Sequence, residues 1–399
     1  MSQVLLTLAV RLLVVIAGLL SSIVTARYLG PEGRGWFFFW TTLAMLIVQF
    51  GNFGLHASNT YLLAKKGVDV HVLASNSLVG ALIAGLAWTI AGLAVASLLG
   101  QQEAWSPRVA IPLLLMSVTG LYFLLSSNLL VALGRLTAYN VLEILSKALS
   151  LCALILAAVF WGEAHLLLWG LAAAGAVTSV VLGWWLRRHI RLVPPSAAIL
   201  KLGFSYGLKA YVVACLAALV SRLNAFLLEP SIPPADYGAW SIASQIFDVL
   251  TLLPASVALV MLPRIMRSSE PHRMVRINAL AVAGIMLVVS AGFILVGQPL
   301  IILLYGEAYG AAFDYVIWGL PGLVALSVIS VLSQYMATIG LPRALILLWA
   351  TVATLQAAVA IWLIPEHGAT GAMVSLSVAY VTGLMLMFSL IHRLKDKHA

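Results

Sequence analysis

Twelve apolar stretches follow one another along this 399-residue chain with short gaps between them, and the charges in those gaps are sorted by sign. About 20 apolar residues cross a hydrocarbon core of roughly 30 Å as a helix. Windows of that length place the stretches at 4–26, 36–63, 73–99, 109–133, 141–160 and 166–186, then at 203–228, 237–262, 275–297, 313–337, 344–364 and 371–391. Lipid offers no water to bond an open backbone, so each stretch has to be a helix that satisfies its own N–H and C=O groups. With 63% hydrophobic and 9% charged residues, against about 25% charged in a soluble domain, an all-α polytopic membrane protein is expected.

With the N-terminus placed in the cytoplasm, the inner loops and tail hold Lys65, Lys66, Arg135, Arg187, Arg188, Arg191, Lys201, Arg264, Arg267, Arg273, Arg276, Arg343, Arg393, Lys395 and Lys397. The outer loops hold only Arg27, Arg34 and Arg108, while Glu32, Glu103, Glu163, Glu229, Asp236, Glu307, Asp314 and Glu366 fall outside. Lys/Arg asymmetry in short loops sets orientation during insertion, so both termini are expected inside. The net charge of +9 is then mostly a topological signal facing anionic lipid, and it gives no reason to expect a nucleic-acid partner.

The gaps are too short for a nucleotide-binding domain or a catalytic ectodomain. No phosphate-binding Gly-x-x-x-x-Gly-Lys loop, paired-histidine zinc motif or Cys-x-x-Cys is present, so ATP hydrolysis within the chain is excluded and no resident metal is expected. Cys152 and Cys215 fall inside spans and read as small buried apolar residues. Met1 to Val10 run directly into the first span, without a small-residue cleavage site.

A basic, proline-containing segment, Arg187 to Leu202, divides the spans evenly. The expected organisation is a six-helix lobe over 1–190, a cytoplasmic linker over 191–202, and a second six-helix lobe with a short cytoplasmic tail over 203–399. Six is even, so both lobes begin on one face, and a repeat would relate them by a pseudo-two-fold axis along the membrane normal. Gly30-Pro31-Glu32-Gly33-Arg34-Gly35-Trp36 and Pro233-Pro234-Ala235-Asp236-Tyr237-Gly238-Ala239-Trp240 occupy equivalent places, each leading from a Gly/Pro-rich turn to an interfacial tryptophan. Turn chemistry alone also produces such a pattern.

Polar residues within the spans are periodic. Thr42, Gln49, Asn52, His56 and Asn59 recur at steps that put them on one face of a continuous helix. Arg11, Gly18, Ser22 and Thr25 do so in the first span, and Ser241, Ser244, Asp248 and Thr251 in the eighth. Such stripes have to face other helices or a water-filled cavity. Interhelical hydrogen bonding accounts for any single Ser or Thr; a stripe of Gln, Asn, His and Asn favours a cavity between the halves.

Charges inside spans are costly, at about 2.5 to 3.5 kcal/mol each on insertion scales. Glu143 and Lys147 are one turn apart near a membrane face, where an i,i+4 ion pair explains them. Arg11 and Lys209 lie within snorkelling reach of the headgroups or else face the cavity. Arg222 either snorkels outward or pairs with an acid on a neighbouring helix. Asp248, short and near mid-span, needs a partner, a proton or water. Pro254, and Pro321 with Gly322, mark either bends used in switching or static kinks.

Several segments resemble the polysaccharide-export flippases, the O-antigen and capsule-repeat transporters of the superfamily that also holds multidrug antiporters and peptidoglycan-precursor flippases. The matching residues run through Ala26-Arg27-Tyr28-Leu29-Gly30-Pro31-Glu32-Gly33-Arg34-Gly35, Arg222-Leu223-Asn224, Tyr237-Gly238, Ser241-Ile242-Ala243, Leu304-Tyr305-Gly306-Glu307-Ala308-Tyr309 and Ile364-Pro365-Glu366-His367-Gly368-Ala369-Thr370-Gly371-Ala372. The resemblance implies a two-lobed bundle whose first, second, seventh and eighth helices line a cavity that opens to either side in turn. Its implied cargo is an oligosaccharide joined through pyrophosphate to a polyprenyl lipid, carried to the outer leaflet of a bacterial inner membrane. A polysaccharide polymerase is a conceivable partner alongside membrane lipids. On that reading Arg11, Lys209 and Arg222 contact pyrophosphate, Gln49, Asn52, His56 and Asn59 bond sugar hydroxyls, and Asp248 and His56 couple transport to protons or sodium without any organic cofactor. The family commonly carries an aspartate where Asn224 stands, so the resemblance predicts no charged partner for Arg222 at that position.

Two competitors are a cation-coupled multidrug antiporter of the same superfamily and a membrane-embedded glycosyltransferase or polymerase. The first wants acids in the cavity, where Asp248 faces three basic candidates; the second wants long acid-bearing outer loops, which are absent. The charge sorting makes a direct prediction about orientation. A reporter fused after Arg135 should be cytoplasmic and one fused after Gly162 external, and the reverse pattern would invert the assigned topology.

Overall fold

The computed structural model describes the backbone of residues 3–188, 190–267, 271–338 and 343–395, and the side chains of residues 10, 12–188, 190–252, 254, 273–336 and 343–392. Among these, all regular structure is helical. The elements are α1 (Gln3–Gly51), α2 (Leu55–Lys66), α3 (Val70–Leu98), α4 (Pro107–Ala132), α5 (Leu136–Phe160), α6 (Ala164–Arg187), α7 (Ala197–Leu228), α8 (Pro234–Arg267), α9 (Pro271–Tyr305), α10 (Ala312–Thr338) and α11 (Arg343–Lys395), with single 3₁₀ turns before α8 and α10.

Nine segments of the described residues are long and apolar enough to cross a membrane; the chain is a multi-pass membrane protein. Two of them, Leu12–Lys66 with 55 residues and Arg343–His392 with 50, have the length of two crossings. α1 is interrupted at Gly30, with φ 65° and ψ 177°, and α11 at Gly368, with φ 51° and ψ −130°. Only a residue without Cβ takes such angles readily, and Pro31 and Pro365 beside them lack a backbone donor. The stretches expected to be separate at 4–26 and 36–63, and at 344–364 and 371–391, are therefore joined through single-residue breaks. α8, with 34 residues, is long enough for a further crossing.

The break at Gly30 is braced by Arg34. This residue, expected in an outer loop, is 4% exposed. Its Nη1 donates to Thr25 Oγ1 at 2.8 Å across the break, and its guanidinium lies 6.0 Å from the Phe38 ring centroid. On a straight helix, nine residues would separate the two backbones by about 13 Å, so the bond exists only because the chain turns. Trp240 is 3% exposed and packs on Tyr237.

The chain divides into two compact units, Met1–Tyr211 and Val212–Ala399, with the boundary inside α7. In the first unit α4 packs on α1, α2, α3, α5 and α6, and in the second α10 packs on α8, α9 and α11. Each unit is thus organised around its fourth span. α4 buries Leu121, Leu125 and Leu129 at helical spacing, and α10 buries Leu323, Ser327 and Val331 in the same way.

Close approach replaces the hydrophobic effect as the adhesive between helices in lipid. A Cβ on Gly85 would come within 2.7 Å of Val118, and one on Gly322 within 2.7 Å of the Ser377 Cα. The Gly322 contact explains Pro321. Ser377 Oγ of α11 donates to Trp318 O at 2.6 Å and accepts from Gly322 N at 3.2 Å, so a hydroxyl bridges the helix ladder beside the proline. Replacing Ser377 with alanine should lower the stability of the detergent-solubilised protein by about 1 to 3 kcal/mol, the usual cost of leaving buried backbone groups unpaired. An unchanged melting temperature would show that the hydroxyl does not bridge the ladder.

Candidate functional site

In the first unit, the polar stripe of the second span does not lie on one helix. α1 ends at Gly51 and α2 begins at Leu55, with Phe53 at φ 47° and Gly54 at φ 73° between them. The sequence cue was the pair Gly51 and Gly54, which the polar periodicity ran across. Asn52 makes the break: its side-chain oxygen accepts from Gly54 N at 2.8 Å and lies 3.0 Å from His56 Nδ1, while its amide donates back to Gln49 O. Asn52 is fully buried and Asn59, 5% exposed, donates to Ser77 Oγ at 3.0 Å. Both side chains are engaged inside the unit, whereas Gln49 and His56 keep partly exposed surface. Ser22 and Thr25 of the first span are buried as well. Arg11 lies on α1, but its side chain is outside the described residues.

The early part of α7 belongs to this unit because Gly203 and Gly207 let it touch α2 at backbone distance. A Cβ on Gly207 would sit 2.8 Å from Gly54 O. Tyr206 stacks on Tyr61 with ring centroids 3.8 Å apart, and Tyr211 donates to Phe50 O at 2.6 Å, satisfying a carbonyl near the end of α1. Asn76 and Ser196 exchange two bonds, so the segment before α7 is docked on α3. Lys209 lies on the exposed side of α7 and forms no ion pair among the described residues.

The second unit holds a compact constellation of polar groups. Arg222 of α7 forms an ion pair with Asp248 of α8 through Nη2 and donates to Ser244 Oγ at 3.3 Å through Nη1. The Arg222 side chain is 12% exposed and that of Asp248 42%, so the carboxylate is the accessible member. Of the two ways to accommodate Arg222, pairing with a neighbouring acid is the one realised. The missing aspartate at Asn224 is no loss of a charged partner, since Asp248 supplies it one helix away. Asn224 is buried and donates to Ala372 O and Ser375 Oγ, tying α7 to the second half of α11.

Beside the pair lies a cavity of about 220 Å³, lined by Ser221, Asn224, Ser244, Asp248, Thr251 and Tyr380 among others. Ser244, Asp248 and Thr251 share one face of α8 at helical spacing. Tyr380 packs face to face with Phe247, centroids 6.3 Å apart, at the apolar side. The site presents one accessible carboxylate, hydroxyl and amide groups, and aromatic walls. That inventory suits hydrogen-bonding to hydroxyl-rich ligands, or taking up a proton or a monovalent cation. Glu143 and Lys147, by contrast, do not close the expected ion pair: none of the ion pairs among the described residues includes them.

The sequence model of the family described as polysaccharide biosynthesis protein matches residues 1–269. The chain belongs to that family. Its solved structural neighbours share the fold at low identity: the lipid II flippase MurJ in an inward closed conformation, at TM-score 0.76 and 15% identity over 98% of this chain and 87% of that one; an inward-facing multidrug resistance transporter of the MATE family, at 0.74 and 17% over 97% and 96%; and a point mutant of the Vibrio cholerae MATE transporter VcmN, at 0.67 and 14% over 98% of each chain. No curated protein matches by sequence. The family member thus has the all-helical fold common to MurJ and the MATE transporters over nearly its whole length.

The ion pair predicts a non-additive mutant cycle. Arg222→Met and Asp248→Leu should each destabilise by about 2 kcal/mol, less than the ~3–5 of a fully buried pair because Asp248 is partly open, and the double variant should be less destabilised than the sum. Additive losses in thermal denaturation would show that the contact carries no coupling.

Proposed function

We propose that the protein is an alternating-access flippase that moves a polyprenyl-pyrophosphate-linked oligosaccharide from the cytoplasmic to the outer leaflet of a bacterial inner membrane for surface polysaccharide synthesis. The observation that carries the reading is the polysaccharide biosynthesis family match over residues 1–269, joined to a fold shared with a lipid II flippase. A pyrophosphate head with many hydroxyls cannot cross bare hydrocarbon, because unpaired polar and charged groups there cost several kcal/mol each or more. Its lipid tail never has to leave the bilayer. The protein's task is to shelter the head, not to break a bond, and catalysis plays no part in this scheme.

In this scheme Lys209 and Arg11, the basic side chains of the seventh and first spans, meet the pyrophosphate, and an arginine fork suits phosphate oxygens. Gln49 and His56 offer sugar contacts, with Asn52 and Asn59 holding the helix break and α3 in place beneath them. Arg222 is neutralised by Asp248 and contributes hydrogen bonds more than net charge. Asp248 then serves as the group that exchanges a proton or sodium ion, and His56 as a second candidate for coupling. A polysaccharide polymerase would take the delivered product on the far side.

The fold alone serves drug antiporters equally well, so the test has to report on the cargo. Lys209→Ala and Arg11→Ala should each reduce surface polysaccharide severalfold at unchanged protein level. Wild-type export by both, or dye uptake by vesicles carrying the protein, would favour the antiporter instead.

A further inference from the structure

The first unit carries a second recess that the transport scheme leaves unused. It lies between the start of α5 and the end of α6, open to the outside, with a volume of about 580 Å³. Its lining is graded along the membrane depth. Arg135, the N-cap of α5, and Thr137 stand at one end together with Trp185 from the last turn of α6. Val181 lies one turn deeper on α6, and Val141 and Leu145 lie progressively deeper on α5. From Arg135 to Leu145 the helical rise is about 15 Å, half of a hydrocarbon core of roughly 30 Å. With Arg135 at the headgroup level, where the charge sorting of the loops puts it, the recess reaches about half-way through the core.

The shallow end is basic. The Arg135 guanidinium lies 5.3 Å from the Trp185 ring centroid, and that of Arg188 lies 3.5 Å over Trp184. Arg188 is held over Trp184, the neighbour of Trp185, so the cation that lines the recess itself is Arg135. Among the described residues no carboxylate lines the recess. At about 100° per residue, Glu143 and Lys147 lie some 140° and 180° around α5 from Ala138, on the opposite side. A helix surface that meets only acyl chains needs neither a recess nor a cation at its mouth.

We propose that this recess binds an anionic glycerophospholipid of the adjacent leaflet, with its phosphate against Arg135 and Thr137 and one acyl chain along Val141, Leu145 and Val181. Basic pockets between helices on the positively charged side of membrane proteins bind anionic headgroups by this complementarity, and interfacial tryptophans fix the depth. The site is separate from the groups assigned to cargo and coupling. It rests on the basic loops facing a leaflet that contains anionic lipid, and not on the identity of the cargo.

The test is native mass spectrometry of the full-length protein in detergent, titrated with phosphatidylglycerol and with phosphatidylcholine of identical chains. Phosphatidylglycerol should bind more tightly, and Arg135→Ala should weaken it about tenfold through loss of a charge-assisted contact. Val141→Trp should block the recess while leaving every charge in place. Lys147→Ala, which removes the same charge from the opposite face of α5, should bind as wild type. Equal affinity for the two lipids would overturn the site, as would equal weakening by Arg135→Ala and Lys147→Ala. Binding of a polyprenyl pyrophosphate that Val141→Trp abolishes, without binding of phosphatidylglycerol, would also overturn it and assign the recess to cargo. Should Arg135→Ala fail to fold, Val141→Trp against Lys147→Ala decides the matter: unchanged phosphatidylglycerol binding by Val141→Trp contradicts the proposal.

Discussion

In a hydrocarbon core a polar group has no water to turn to, and the helix breaks and the Arg222–Asp248 pair of this protein are answers to that constraint. The break at Gly30 is bridged by Arg34 and Thr25. That at Gly51 to Gly54 is closed by the side chain of Asn52 and capped by Tyr211. The proline in α10 is bridged by Ser377. Arg222 of α7 and Asp248 of α8 neutralise each other. Each answer uses a side chain from another turn or another helix, so local irregularity and packing within a unit are one problem.

This explains which parts were legible in the sequence. The spans follow from apolar length, and the Gly/Pro positions of the turns were visible, because both are local properties. That two of those turns would be single-residue breaks was not, since a loop and a kink share the same composition. Periodicity misled in the second span: Gln49, Asn52, His56 and Asn59 keep helical spacing in the sequence even though φ is positive at Phe53 and Gly54. Arg222 and Asp248 were each recognisable as too costly to stand alone, but their pairing depends on the mutual rotation of α7 and α8, which no local pattern encodes. The Arg34–Thr25 bond was not legible for the same reason, its partner being brought within reach by the turn. Glu143 and Lys147 erred in the other direction, since an exposed i,i+4 pair gains only about 0.3–0.5 kcal/mol, too little to hold two long side chains in one geometry.

The electrostatic picture of the candidate cargo path changes accordingly. Three basic side chains looked equivalent as phosphate contacts. In the structure Arg222 is committed to Asp248, while Lys209 is exposed on α7 without an ion-pair partner among the described residues. An arginine held by an acid suits a hydrogen-bonding wall for sugar, and an unneutralised lysine suits the anionic head. In the proposed scheme the same division separates the accessible Asp248 carboxylate, proposed for coupling, from the lysine proposed to attract the cargo.

The most direct measurement is made in proteoliposomes containing the purified protein and a fluorescent polyprenyl-pyrophosphate oligosaccharide, with a membrane-impermeant quencher reporting how much of the probe reaches the outer leaflet. The account predicts that the protein raises transbilayer movement well above that of empty liposomes and that a fluorescent phosphatidylcholine is not moved. Equal quenching with and without protein, or equal movement of both lipids, would contradict it.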